Sequence, residues 1–112
     1  MIDSLSFGSI VVDGKQYTAD LKIIAGRVVP DWWRKDGHSI CEADVTDVIA
    51  AKPDVFVLGT GAYGILKVPK AFKTLMEAHG VELIAQPTDK AVKAYNELCT
   101  SKNVAAGFHL TC

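Results

Sequence analysis

The sequence is short of most features that announce a function. Its 112 residues hold only three cysteines, Cys41, Cys99 and Cys112, an odd and widely spaced set that points to reduced thiols and away from a disulfide framework. No apolar run approaches the ~20 residues that a bilayer-spanning helix needs. Neither charge is in surplus: 12 Lys and Arg stand against 13 Asp and Glu. That balance is too even for the broad positive field on which nonspecific nucleic-acid binding relies, so nucleic acid is not expected as a partner. The opening segment, Met1 to Phe7, has neither a basic leader with an apolar stretch nor the Arg-rich, acid-poor character of a transit peptide, and a cytoplasmic location is expected. Repeats, low-complexity tracts and linkers are missing as well. Residues 1–112 are therefore read as one domain, close to the commonest domain size.

What is there is an alternation of strand and helix signals. Gly8 to Val12 and Tyr17 to Ile24 flank Asp13-Gly14, a pair suited to the positive φ angles of a tight turn, which predicts an N-terminal β-hairpin. A short extended piece, Arg27 to Val29, stops at Pro30. Ser39-Ile40-Cys41-Glu42 has the spacing of a capping box and predicts a helix running to about Lys52. Beyond Pro53 the chain reads as strand 55–58, helix 69–79, strand 81–85, helix 88–101 and strand 104–110. Such alternation implies right-handed crossovers and a mostly parallel sheet covered by helices. Val55 to Leu58, apolar without alternation, fits a central strand buried on both faces. If the three late strands are parallel, their carboxyl ends bring residues 59–64, 86–88 and 111–112 to one rim, where ligands of open α/β sheets tend to sit.

Gly59-Thr60-Gly61-Ala62-Tyr63-Gly64 follows that strand and imitates a dinucleotide fingerprint. The imitation fails on spacing. A pyrophosphate needs the last glycines to open the helix, whose free N–H groups it occupies. Here Ile65-Leu66-Lys67-Val68 intervenes before Pro69, and the following strand ends in Ala85-Gln86-Pro87 without a ribose-binding carboxylate. No Gly-Lys-Ser/Thr follows either, which excludes a Walker loop. The glycines are read as serving a sharp turn and close packing, and no cofactor is expected. A crevice at this loop, with Gly59, Thr60, Gly61, Lys67, His109 and Cys112 around it, is the candidate small-ligand or enzymatic site.

Trp32-Trp33-Arg34, with His38 close behind, lies in an irregular stretch. Trp and Arg are enriched among energetic anchors of interfaces, so Trp32, Trp33, Arg34 and His38 form the candidate partner surface; the competing reading is that an indole covers the core edge. His38-x-x-Cys41 and His109-x-x-Cys112 repeat a metal-like spacing, but structural zinc draws paired ligands from tight knuckles, and no metal is expected. Cys112 with His109 as base would make a catalytic thiol. The carboxylate on Cys112 itself disfavours a thiolate, so no catalytic residue is assigned.

Gly8 before Ile10-Val11-Val12, Gly26-Arg27-Val28, Trp32-Trp33-Arg34, Gly37-His38-Ser39, Gly59-Thr60-Gly61, Leu66-Lys67-Val68-Pro69, Ala91-Val92 with Tyr95-Asn96, and His109-Leu110-Thr111-Cys112 occur in an order that resembles the MTH-type domain family. That family includes uncharacterised archaeal and bacterial proteins, the adipogenesis-associated domain-containing protein and a mitochondrial complex I assembly factor. The resemblance spans essentially the whole chain. It implies a three-layer α/β fold around a mixed sheet, with no established enzymatic activity, and in the assembly-factor branch action through protein partners. The sequence departs from that branch in lacking a presequence and in its His109-Leu110-Thr111-Cys112 ending. The resulting expectation is a non-catalytic cytoplasmic domain that acts by protein contact in assembly or maintenance of a larger complex. A homodimer that consumes the tryptophan surface is the further alternative.

Overall fold

The computed structural model describes residues 1–112. Eight strands form two sheets. β1 (Ile2–Ser6), β2 (Ser9–Val12) and β3 (Lys15–Tyr17) make an antiparallel three-stranded sheet in that order. β4 (Leu21–Ile24), β5 (Arg27–Val29), β6 (Val55–Thr60), β7 (Glu82–Gln86) and β8 (Val104–His109) make a five-stranded sheet ordered β5-β4-β8-β6-β7. β6 pairs in parallel with both β7 and β8, while β4 runs antiparallel to β8 and to β5. The sheet is therefore mixed, with its parallel part built from the three late strands.

The Asp13-Gly14 turn forms as its chemistry requires, with φ of 49° and 81°. Two expectations shift nearby. Residues 17–24 are not one strand: the chain leaves the hairpin after Tyr17 and enters the larger sheet at Leu21, with Asp20 at the junction. β1 is an added strand, and Asn96 secures it by bonding the N–H and C=O of Ile2 at 2.9 Å each.

The helix of residues 42–52 is shorter than its capping signal suggests. A 3-10 turn at Glu42–Asp44 precedes α1 (Thr46–Ala51), and Asp44, not Ser39, caps by accepting from the Cys41 amide at 2.8 Å. Ser39 is drawn instead into bridges with Asp36 and Lys67. α2 (Lys70–Ala78) starts directly after Pro69, and Gly80 follows its end at φ 71°. α3 (Thr88–Leu98) starts directly after Pro87.

Every residue of β6 is buried, as its continuous apolar run requires. Alternation sorts the side chains of the large sheet into two cores. Val55 and Val57 join Leu21, Ile23, Ala106 and Phe108 under α3 and the small sheet. Phe56, Leu58 and Ala105 face Trp32, Val48, Phe72 and Met76 under α1 and α2. Small sheet with α3, large sheet, and α1 with α2 give three layers. Gly107 makes room on the second face, where a Cβ would stand 2.7 Å from the Trp32 ring.

Candidate functional site

The parallel strands deliver their carboxyl ends to one rim. There the Gly61 amide donates to Thr88 Oγ1 at 2.9 Å, and Thr88 Oγ1 donates to the His109 carbonyl at 2.6 Å. The Ala62 amide donates to the Thr111 carbonyl at 2.7 Å, Ile65 to the Cys112 carbonyl at 3.3 Å, and Leu66 to the Thr60 carbonyl at 3.0 Å. A phosphate cradle needs such amides free. In this chain they are already bound to its own backbone and to Thr88. Gly61 sits at φ 105°, and a Cβ there would press on the Cys112 carbonyl and stand 2.9 Å from the His109 ring. At Gly59 a Cβ would stand 2.8 Å from Thr88 Oγ1 and 2.9 Å from Phe108. The glycines thus serve close packing between β6, α3 and the Thr111-Cys112 segment. The loop is also separated from α2, which begins only at Lys70.

A cleft of about 250 Å³ lies beside this loop, lined by Phe7, Ala62, Thr88, Asp89 and Leu110. Gly59, Thr60 and Gly61 are buried, Lys67 is exposed and tied by its backbone to His38 and Ile40, and the Cys112 side chain is exposed. His109, whose ring lies beside Gly61, also belongs to a second group of residues, one that the sequence does not reveal.

That group centres on Asp20. Its Oδ1 accepts from the Leu110 amide at 2.8 Å, and its Oδ2 lies 2.7 Å from His109 Nδ1 and 2.9 Å from Arg34 Nη2. Arg34 Nη2 and His109 Nδ1 are 3.1 Å apart. A carboxylate only accepts and a guanidinium only donates, so the short Asp20 contact fixes the proton on Nδ1. Both nitrogens then donate to Oδ2 side by side. Burial alone would push the Asp20 carboxyl up. Donation from His109, from the Leu110 amide and from Arg34 outweighs it and holds the group below its ordinary 3.8.

Arg34 is 5% exposed in its side chain, and its guanidinium stacks over Trp32 at 4.9 Å. Trp32 is itself buried, its Nε1 donating to the Asp44 carbonyl at 3.0 Å. On this side of the sheet Lys22 Nζ also approaches the ring at 5.8 Å and pairs with Asp47 at 2.7 Å. The four residues of the candidate partner surface therefore divide. Trp33 and His38 are exposed, whereas Trp32 and Arg34 are internal.

The Asp20–His109 pair has the orienting half of a catalytic triad, but no hydroxyl or thiol is hydrogen-bonded to the imidazole to serve as nucleophile. No three His, Cys, Asp or Glu side chains gather to hold a metal ion.

The fold is that of a described family. The sequence pattern of the proteins of unknown function DUF498/DUF598 matches residues 2–109. The chain belongs to the DUF498/DUF598 family. A similar solved structure, that of the conserved hypothetical protein PH1505 from Pyrococcus horikoshii OT3, is 30% identical with a TM-score of 0.88, covering 100% of this chain and 99% of that one. A protein named MT938 is 26% identical with a TM-score of 0.83, covering 100% and 98%. A Bordetella pertussis protein, described as a Mth938-like domain, shares the fold at 18% identity and a TM-score of 0.68, covering 97% and 84%. The resemblance to the MTH-type domain family holds, and the DUF498/DUF598 description assigns no activity.

Proposed function

We propose that this chain is a non-catalytic protein-contact domain that works in the assembly or maintenance of a larger complex. One observation carries the reading. Four large apolar side chains stand out at the rim: Trp33 at 83% exposure, Tyr63 at 72%, Phe7 at 60% and Ile65 at 50%. Phe7 and Tyr63 pair at 6.3 Å between ring centroids. The Thr111-Cys112 segment joins them to Trp33, since its carbonyls hold the Ala62 and Ile65 amides and Thr111 shares a cleft with Trp33. Exposed aromatics gathered this way lose contact with water favourably when a partner covers them, and Trp, Tyr and Phe are enriched at interfaces. The setting proposed with this role is the cytoplasm, where three unpaired cysteines stay reduced.

Photocrosslinking tests it. A benzophenone amino acid is placed at Trp33, at Tyr63, and at Lys102 near the opposite end of the sheet, and the full chain is irradiated in its native cell. The expected result is one discrete adduct shared by the Trp33 and Tyr63 positions and absent at Lys102. A shared adduct with the mass of a second copy would make the rim a homodimer surface. Equal, diffuse labelling from all three positions would contradict the proposal.

A further inference from the structure

Of the three guanidinium nitrogens of Arg34, only Nη2 has partners. Nε and Nη1 are closed to solvent and donate to no group of the chain. A guanidinium carries five N–H donors in one rigid plane. Buried donors left without acceptors cost about 1–3 kcal/mol, more when the group is charged, so a native chain that keeps them calls for an explanation. The ring of Trp32 lies against the guanidinium carbon at 4.9 Å and supplies no acceptor to the two free nitrogens. Arg34 also lines a cleft of about 270 Å³, together with Thr18, Asp20, Trp32, Trp33 and Thr111.

We propose that this cleft receives an extended peptide segment of a partner protein, with a main-chain carbonyl oxygen accepting from Arg34 and an apolar side chain lying against Trp33. The inference rests on the protein-contact reading and adds the chemistry that is recognised. Charge balance selects a carbonyl over a carboxylate. Arg34 is matched by Asp20 at 2.9 Å, Asp20 shares the cleft wall, and no other charged side chain lines it. An entering anion would set a second negative charge beside Asp20 with no second cation to match it. A peptide carbonyl brings acceptor lone pairs and no net charge.

The free donors have no accessible surface in the unoccupied chain, so the carbonyl reaches them as the cleft widens. Thr18 and Thr111, exposed on the cleft wall, are free to move, whereas Trp32 is held by Asp44 and by packing against β8.

The test titrates the ¹⁵N-labelled full chain with three probes: N-acetyl-phenylalanine N-methylamide, sodium acetate and inorganic phosphate. The Arg34 Nε–H and Trp33 Nε1–H resonances are followed. The capped amide is expected to shift both saturably, and Trp33→Ala to weaken its binding about fivefold or more, the loss typical of a significant contact residue. The Trp32 Nε1–H resonance should stay in place in that variant, reporting an intact fold. A larger saturable shift of Arg34 with acetate or phosphate would overturn the carbonyl assignment. No Arg34 shift with any probe would overturn the proposal, while crosslinks at Trp33 and Tyr63 would still uphold the contact reading, so the two failures are distinguishable.

Discussion

Replacing Asp20 by alanine should remove about 3–5 kcal/mol of stability, because it strips Arg34 of its counter-charge while leaving the guanidinium inside the protein. The same change leaves the His109 Nδ1–H and the Leu110 amide without their acceptor. The sign of the pH dependence follows from the lowered carboxyl. A depressed folded value means that the contribution of Asp20 is complete above 3.8 and is lost as pH falls through the lower folded value. Urea unfolding from neutral pH downward should therefore show stability dropping below 3.8 in the parent chain. In Asp20→Asn that drop should be shallower and start from a lower plateau. An Asp20→Ala variant as stable as the parent would remove Asp20 from its central role.

Trp32→Ala and Trp33→Ala, one residue apart, should differ by nearly the whole cost of emptying a core site. Trp32 is 5% exposed, fits the space that Gly107 leaves and carries Arg34 on its face, so its truncation should cost about 3–5 kcal/mol. Trp33 is 83% exposed, and its truncation should stay within about 0.5 kcal/mol of the parent. Paired denaturant melts measure both. Equal losses would place the two indoles in the same environment and undo the division between core and rim.

Much of the frame is legible in the residues. The continuous run Val55 to Leu58 reads as a doubly covered strand because no polar residue interrupts it, and Pro69 and Gly80 mark α2 because one lacks a donor and the other tolerates positive φ. The separation of the glycine loop from α2 can be counted directly in the sequence. The Asp20 group is not legible in that way. Its partners lie 14 and 89 residues away, and a single carboxylate between Ala19 and Leu21 looks like any strand-edge polar residue. β1 escapes for a related reason: Ile2–Ser6 is mostly polar and exposed, and becomes a strand only through β2 and Asn96. Adjacency groups the tryptophans in the sequence, although Trp32 is buried and Trp33 exposed. The family resemblance supplies the mixed sheet, since reversal of β4 and β5 leaves no signature in strand–helix alternation.

Amide hydrogen exchange of the loop after β6, followed by NMR in the presence and absence of saturating NAD or ATP, tests the central claim most directly. The account predicts that the Ala62 and Leu66 amides, bound to Thr111 and Thr60, exchange slowly in the free chain and are unaffected by either nucleotide. Fast exchange in the free chain that slows when a nucleotide is added would contradict it, for the loop would then be an open cradle.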